Sequence, residues 1–468
     1  MRSTNVMARP WIYRALLAAV AALVALSAFL QLRRAAPADD PRATSELGML
    51  AKMALAAGSV PGAEDAYEKP FLEKLDAAAA DPSPRERARA LRRKAIWCSY
   101  RERGCAGPAL DALDAISPED RRPAPPDEAA VLREILTSES LSPERARALS
   151  SRLPEIRMGF FDHLLRERLF RREGDAARAD ESLAAARRAA FTAMFAIVGF
   201  TALLGAGVLA WMILLLHPAR SRIAARLSEG LSSRGEAREG EGARRLAIVV
   251  AFLAASIALP HLAGPLGLDA LNSPLERALV TAGLEVVLLV LVFAAHAVFL
   301  KPAGADLGFR KTSPLRALGV GALAYLLLWP VLLAVMLPLA RLFERLGLPT
   351  RSHPIVGQLQ AASDAPLAMA LWFVIAAALA PVLEEAVFRG ALQGGLRARL
   401  GGRWALLLTA APFALIHPQV GLGLVGVLLV GLALSIVRAH EESLWPGVVL
   451  HAINNGVALL LATALLGG

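Results

Sequence analysis

The chain has 468 residues, 56% of them hydrophobic and 20% charged, and a mean hydropathy of +0.47; soluble domains carry about 45–50% apolar and about 25% charged residues, so an ordinary soluble protein is excluded. The formal net charge is +10, but many basic residues flank apolar runs and no basic stripe is interleaved with aromatics. That pattern argues for loop topology and anionic lipid head groups and against a nucleic-acid partner.

The first apolar run extends from Trp11 to Leu32, with Arg2 and Arg9 before it and Arg14 near its start. It is long for the apolar region of a signal peptide, and Arg33 and Arg34 intervene before the weak cleavage match Ala36-Pro37-Ala38, so residues 1–32 read as an uncleaved membrane anchor. A cleaved signal is the weaker alternative.

Residues 33–188 are polar and rich in Ala, Arg, Asp and Glu, with apolar residues at helical spacing in stretches such as Pro84–Arg103 and Ser142–Leu153. Proline-rich breaks fall at 82–84 and 123–126. Phe161–Ala190 reads as a helix, a Gly174-Asp175 turn and a second helix, like one hairpin of a tetratricopeptide array; an irregular helical domain fits equally well. The two cysteines of the chain, Cys98 and Cys105, lie here. They exclude a Cys-rich metal site. On one continuous helix their Cα atoms would be about 10 Å apart, too far for a disulfide, whereas a helix end at Gly104 would let them meet. The pairing is left open by the sequence.

Long apolar runs then recur at 190–216, 245–264, 277–300, 316–340, 366–387, 404–420, 422–438 and 444–466, which with the anchor predicts nine spans. Pro412 and Pro418 interrupt the run that begins at Trp404. The loop 217–245 carries Arg220, Arg222, Arg226, Arg234, Arg238, Arg244 and Arg245. The loop 301–316 carries Lys301, Arg310, Lys311 and Arg316, and 388–403 carries Arg389, Arg397, Arg399 and Arg403. The alternating loops are poorer: 265–277 holds Arg277, and 341–365 holds Arg341, Arg345 and Arg351. The positive-inside rule therefore places the N-terminus in the cytoplasm and 33–188 outside it. The expected fold class is all-α: a polytopic transmembrane bundle with an N-terminal helical extramembrane domain. Its parts are expected at 1–32, 33–188, 189–275 (spans with a basic cytoplasmic loop) and 276–468.

Ionisable groups at membrane depth are expensive and are functional candidates. Three clusters stand out late in the chain: Glu384-Glu385 with Arg389, Phe413 with His417, and His451 with Asn455. Within each, residues four apart share a helix face. Together they supply a carboxylate and imidazole able to activate water and an imidazole–amide pair able to stabilise an oxyanion. No Ser or Cys stands beside them as a covalent nucleophile. The bland reading of any one such residue is glue between helices, and three motifs in order weaken it. Glu285 and His296, eleven apart on one helix face, are expected to make a helix–helix hydrogen bond. His163, His217, His261, His353 and His440 fall in loops, at span ends or in the polar domain and are expected to be solvated.

The pattern Glu-Glu-x-x-x-Arg, then Phe-x-x-x-His, then His-x-x-x-Asn resembles the CPBP family of CAAX-protease, bacteriocin-processing and Abi intramembrane peptidases, over about residues 280–466. Leu307-Gly308-Phe309 before a basic stretch is similar to the family's approach to its core. The resemblance implies an endopeptidase acting on a membrane-associated peptide or protein. It implies Glu384 and His417 as the water-activating pair, His451 and Asn455 as the oxyanion pair, and Glu385, Arg389 and Phe413 in support. A metal is uncertain: Glu384, His417 and His451 are plausible zinc ligands by type, yet the same residues suffice without one. The expected location is multi-pass in a bacterial inner membrane, with lipid, the substrate and a protein bound to 33–188 as candidate partners. Two other classes stay open: a catalytically silent scaffold or immunity-type protein, and a proton-coupled transporter using Glu285, His296 and Glu384.

Overall fold

The computed structural model describes residues 9–34, 41–58, 64–120, 125–156, 159–232, 240–262, 271, 273–346, 348, 353–363 and 365–466. Arg2, Ala36, Pro37, Ala38, Pro123, Arg234, Arg238 and Arg351, named above, lie outside these residues, as do the side chains of Arg33, Arg34 and His261.

Among the described residues the chain is helical throughout, with no strand. In order the helices are α1 (Pro10–Arg34), α2 (Pro41–Ala57), α3 (Glu64–Ala79), α4 (Pro84–Tyr100), α5 (Ala106–Asp114), α6 (Glu128–Thr137), α7 (Pro143–Ser150), α8 (Leu153–Ile156), α9 (Phe160–Glu173), α10 (Ala176–Leu216), α11 (Arg220–Ser232), α12 (Glu241–Leu262), α13 (Pro274–Phe299), α14 (Pro314–Arg345) and α15 (Ile355–Ala361). The long helix α16 (Pro366–Leu400) follows, then α17 (Gly402–Leu415), α18 (Leu422–His440) and α19 (Trp445–Leu466). The chain divides into two units, 38–199 with 460–468, and 1–37 with 200–459.

In the first unit, helix boundaries follow capping chemistry. Ser83 and Ser142 accept from the N3 amides of Glu86 and Arg145, and each is followed by a proline at the first helical position. Gly174, at φ +85, ends α9 in the left-handed conformation that favours glycine. One core joins Phe71, Ile96, Trp97, Leu110, Leu132, Phe161 and Leu164. Trp97 meets Phe71 edge-on at 4.9 Å. Helix α4 ends at Tyr100, before Gly104, and this brings the Cα atoms of Cys98 and Cys105 to 5.5 Å, joined by a disulfide. The continuous-helix alternative is thereby corrected.

The second unit is a bundle of apolar helices. Among the described residues eight helices are long and apolar enough to cross a membrane: α1, α10, α12, α13, α14, α16, α18 and α19. The protein is a multi-pass integral membrane protein. Small residues allow close approach between its helices. A Cβ at Gly207 would fall 2.4 Å from the Leu326 carbonyl oxygen, and nearby Trp211 donates to the Leu327 carbonyl at 2.8 Å, beside Pro330.

One of the nine expected spans, 404–420, is corrected. Its helix α17 stops at Leu415 after 14 residues, with Pro412 inside its last turn. That is about 21 Å of helix, short of a bilayer core. α17 packs against α18 as a hairpin, and its start and the end of α18 both meet α11: Gly230 abuts Gly402 and Ala439. The turn between the two helices carries His417.

Candidate active site

The carboxylates come from a helix that is not regular. α16 widens into π-helical turns at Ile375–Leu379 and Glu385–Leu392. Such insertions are rare and recur at functional sites. They rotate the following residues relative to an ideal helix, and here they bracket Glu384. From Glu385 to Leu392 every residue is buried.

Glu385 and Arg389 form the ion pair expected from their spacing, with Arg389 Nη1 3.1 Å from Glu385 Oε1 and both side chains buried. Arg389 also donates through Nη2 to the Gly431 carbonyl at 3.0 Å, and its guanidinium lies 4.2 Å from the centre of the Phe413 ring. A buried charge persists only when paired and hydrogen-bonded, and Arg389 draws on three elements for this. Phe413 stacks obliquely on His417 at 4.5 Å and meets His451 at 5.8 Å and Phe388 at 5.3 Å. It is the apolar wall of the site.

Two imidazoles converge on Glu384. His417 Nε2 and His451 Nε2 each lie 3.7 Å from Glu384 Oε2. That oxygen is buried and has no hydrogen-bond partner. The far side of each ring is fixed. His417 Nδ1 is 2.5 Å from the Phe413 carbonyl, which only accepts, so the Nδ1 carries the proton. His451 Nδ1 faces Glu385 Oε1 at 3.3 Å. Each ring therefore directs Nε2 at the carboxylate, held by a partner behind it. A separation of 3.7 Å is too long for a direct hydrogen bond and suits a water touching all three atoms.

The structure brings Glu384, His417 and His451 together but gives Asn455 a separate contact. Its amide nitrogen donates to the Ala376 carbonyl, in the first π turn, at 2.9 Å, and its Oδ1 accepts from Asn454 at 3.2 Å. One of its two N–H donors remains for other use. Zinc would need ligand atoms about 2.0–2.2 Å from a common point. Among the described residues no three His, Cys, Asp or Glu side chains are grouped to hold a metal ion. Glu384, His417 and His451 are the residues that would hold a zinc ion, which would supply a Lewis acid there, and the same three groups can also act on water directly.

Three features escaped the sequence. Gly447 opens α19 beside the carboxylate pair; a Cβ there would lie 2.9 Å from Glu385 Oε2. His353, expected to be solvated, is half-buried within electrostatic reach of His417, and accepts from the Ile355 amide at 3.1 Å. Burial first, and the neighbouring His417 second, push its imidazole down to about 4, so it is neutral at physiological pH. Glu285 does not make the expected helix–helix hydrogen bond among the described residues; it lies on α13, which packs against α16, within electrostatic reach of Glu384. His296 Nδ1 is buried without a partner. No sequence spacing marks either association, because each joins residues far apart in the chain.

Residues 366–457 match the family model described as type II CAAX prenyl endopeptidase Rce1-like. All seven residues singled out from the three motifs fall inside that match, which is narrower than the stretch 280–466. The segment resembles the CAAX proteases. No curated protein and no solved structure matches the chain.

Proposed function

We propose that the protein is an intramembrane endopeptidase that hydrolyses a peptide bond of a membrane-associated peptide or protein, using water activated between Glu384 and His417. The observation that carries this reading is the buried, unpartnered Glu384 Oε2 with two imidazole Nε2 atoms 3.7 Å away. Two imidazoles facing one carboxylate oxygen, each too far for a direct hydrogen bond, leave room for a water between them.

In the reaction, a water bound between Glu384 and His417 loses a proton to that pair as its oxygen attacks the scissile carbonyl carbon. The carbonyl π electrons move to oxygen and form a tetrahedral oxyanion. His451 Nε2–H donates to that oxyanion, with the ring held from behind by Glu385 at Nδ1, and the free N–H of Asn455 is the second donor. The proton held by Glu384 and His417 then passes to the amine nitrogen as the C–N bond breaks. The charge asymmetry of the loops supports a site reached from the cytoplasmic side. The Cys98–Cys105 disulfide supports an exported unit 38–199. That unit is then free to recruit a protein partner outside the cytoplasm.

The test is cleavage of quenched peptide libraries, prenylated and unprenylated, by the purified chain in detergent, with and without chelator. Glu384→Gln keeps shape and removes the base; the expected loss is about 10²- to 10⁴-fold in kcat at unchanged melting temperature. Wild-type activity retained in that variant sinks the reading. Activity that disappears with chelator and returns with zinc would replace the metal-free version of it.

A further inference from the structure

Gly447 has no backbone reason to be a glycine. It is the third residue of α19, after Trp445 and Pro446, and its φ lies outside the left-handed region that favours glycine. Alanine is the better helix former, so the missing side chain points to a neighbour that needs its space.

That neighbour is a single carboxylate. At Gly230, Gly390 and Gly402 the point where a Cβ would stand lies against the backbone of another stretch of chain, and glycine there permits a close approach. At Gly447 the atoms found within 4 Å of that point, apart from its own helix and chain neighbours, are Glu385 Oε2 at 2.9 Å and the Glu385 carboxyl carbon at 3.6 Å. Among the described residues, then, no approach between backbones depends on Gly447, and the seat of Glu385 does.

Glu385 is fully buried, with Oε1 3.1 Å from Arg389 Nη1 and 3.3 Å from His451 Nδ1. His451 follows Gly447 by four residues, on the same face of α19, and its Nε2 is the atom directed at Glu384 Oε2. One oxygen of Glu385 thus stands against the first turn of α19 and the other against the next turn. The opening turn of a helix also favours a negative charge. A glutamate with a free end would swing aside from a methyl group at little cost. This one is held by Arg389 and His451, and it gives way only by changing those contacts. A methyl group at 447 would therefore act on the direction of the His451 ring and leave the packing of α19 as it is.

We propose that Gly447 is a positioning residue: its missing side chain seats the Glu385 carboxylate on the first turn of α19, from where Glu385 holds His451 with Nε2 aimed at Glu384. The effect on turnover rests on the peptidase reading; the effect on the His451 ring does not.

The test compares Gly447→Ala, Glu385→Asp and the double variant with wild type, as full chains in detergent. It reads cleavage of the peptide that wild type cleaves best, and the nitrogen NMR signal of His451 Nδ1, assigned by its loss in His451→Gln. Shortening Glu385 by one carbon withdraws the carboxylate from the added methyl group. For Gly447→Ala the expected kcat is lower by about 10- to 100-fold, as a misplacement of about 1 Å can cause. KM is expected within about twofold of wild type, and the melting temperature no lower. In the Glu385→Asp background the same alanine is expected to cost less than about twofold, since the two residues act through one contact. The His451 signal of Gly447→Ala is expected to move in the direction seen in Glu385→Gln. Independent losses that add in the double variant, wild-type kcat with an unmoved His451 signal, or an alanine variant that no longer folds each overturn the proposal. If no form of the chain cleaves any peptide, the peptidase reading fails and the His451 signal alone decides whether Gly447 places the ring.

Discussion

The unit 38–199 and the membrane unit both bury charges, and they treat them differently. In the first, Glu68 is buried and well partnered: Trp97 Nε1 and Arg101 donate to it, and Arg103 stands 3.0 Å away. Burial acts to raise its pKa, but the hydrogen bonds from Arg101 and Trp97 and the two guanidinium charges outweigh that, and the carboxyl is held below its ordinary value. Arg92 and Glu128 pair at 2.6 Å in the same interior. In the membrane unit, Glu385 and Arg389 also pair, and Glu384 Oε2 beside them has no hydrogen-bond partner and faces two imidazole Nε2 atoms at 3.7 Å. What sets Glu384 apart is its company: the buried carboxylates of the helical unit face guanidinium groups, whereas Glu384 faces two imidazoles, the arrangement on which the proposed chemistry rests.

Arg389→Met is the hardest test of that contrast. Removing one partner of a buried pair leaves Glu385 uncompensated and is expected to destabilise the membrane unit by about 3–5 kcal/mol, read as loss of folded protein in detergent extracts. If the variant is as stable as wild type and inactive, Arg389 belongs with the chemistry and the division drawn above fails.

Lys52 sharpens the comparison from the other unit. It is fully buried, and burial lowers its ammonium pKa to about 8 from 10.5. The folded value lies below the unfolded one, so between about 8 and 10.5 the unfolded chain binds more protons and stability rises with pH. Below about 8 both states are protonated and the slope vanishes. The rise across that window is about 3 kcal/mol at most. Subtracting the melting-temperature profile of Lys52→Met from that of wild type between pH 7.5 and 10.5 isolates it; a flat difference refutes the assignment.

The disulfide comes next. Replacing Cys98 and Cys105 by serine opens a short loop, and the chain-entropy account gives about 2 kcal/mol of lost stability. The loss should show as a lower melting temperature, matched by adding reductant to wild type. Ser83→Ala is the smallest effect. It removes the N-cap acceptor of α4 and is expected to cost about 1 kcal/mol, with no change in peptide cleavage. A cap substitution that altered cleavage would show that the helical unit takes part in the reaction.

Much of this was legible in residue order. Hydropathy marked each of the eight long apolar helices, because a spanning helix must satisfy its own backbone and present apolar side chains along some twenty residues. Spacing within one helix also carried over: Glu385 with Arg389, and Phe413 with His417, meet because residues four apart share a face. The errors came where a local signal had to stand for a length or a neighbour. Trp404 to Val420 was apolar enough for a span, but Pro412 and the turn at His417 stopped the helix at Leu415. His353 was read as a solvated loop residue because nothing near it in sequence announces His417.

The sequence by itself determined the solvent of each segment, the all-helical class and the three motifs in order. These depend on composition and on the fixed period of the helix. Only the tertiary structure decided that two imidazoles would point at one unsatisfied carboxylate oxygen, that Asn455 would bond to the Ala376 carbonyl of a π turn, and that Arg245 would reach the carbonyls of Asp306 and Gly390. Those are distances between helices, set by where small residues let backbones approach and where irregular turns rotate a face, and no period in a single strand of sequence encodes them.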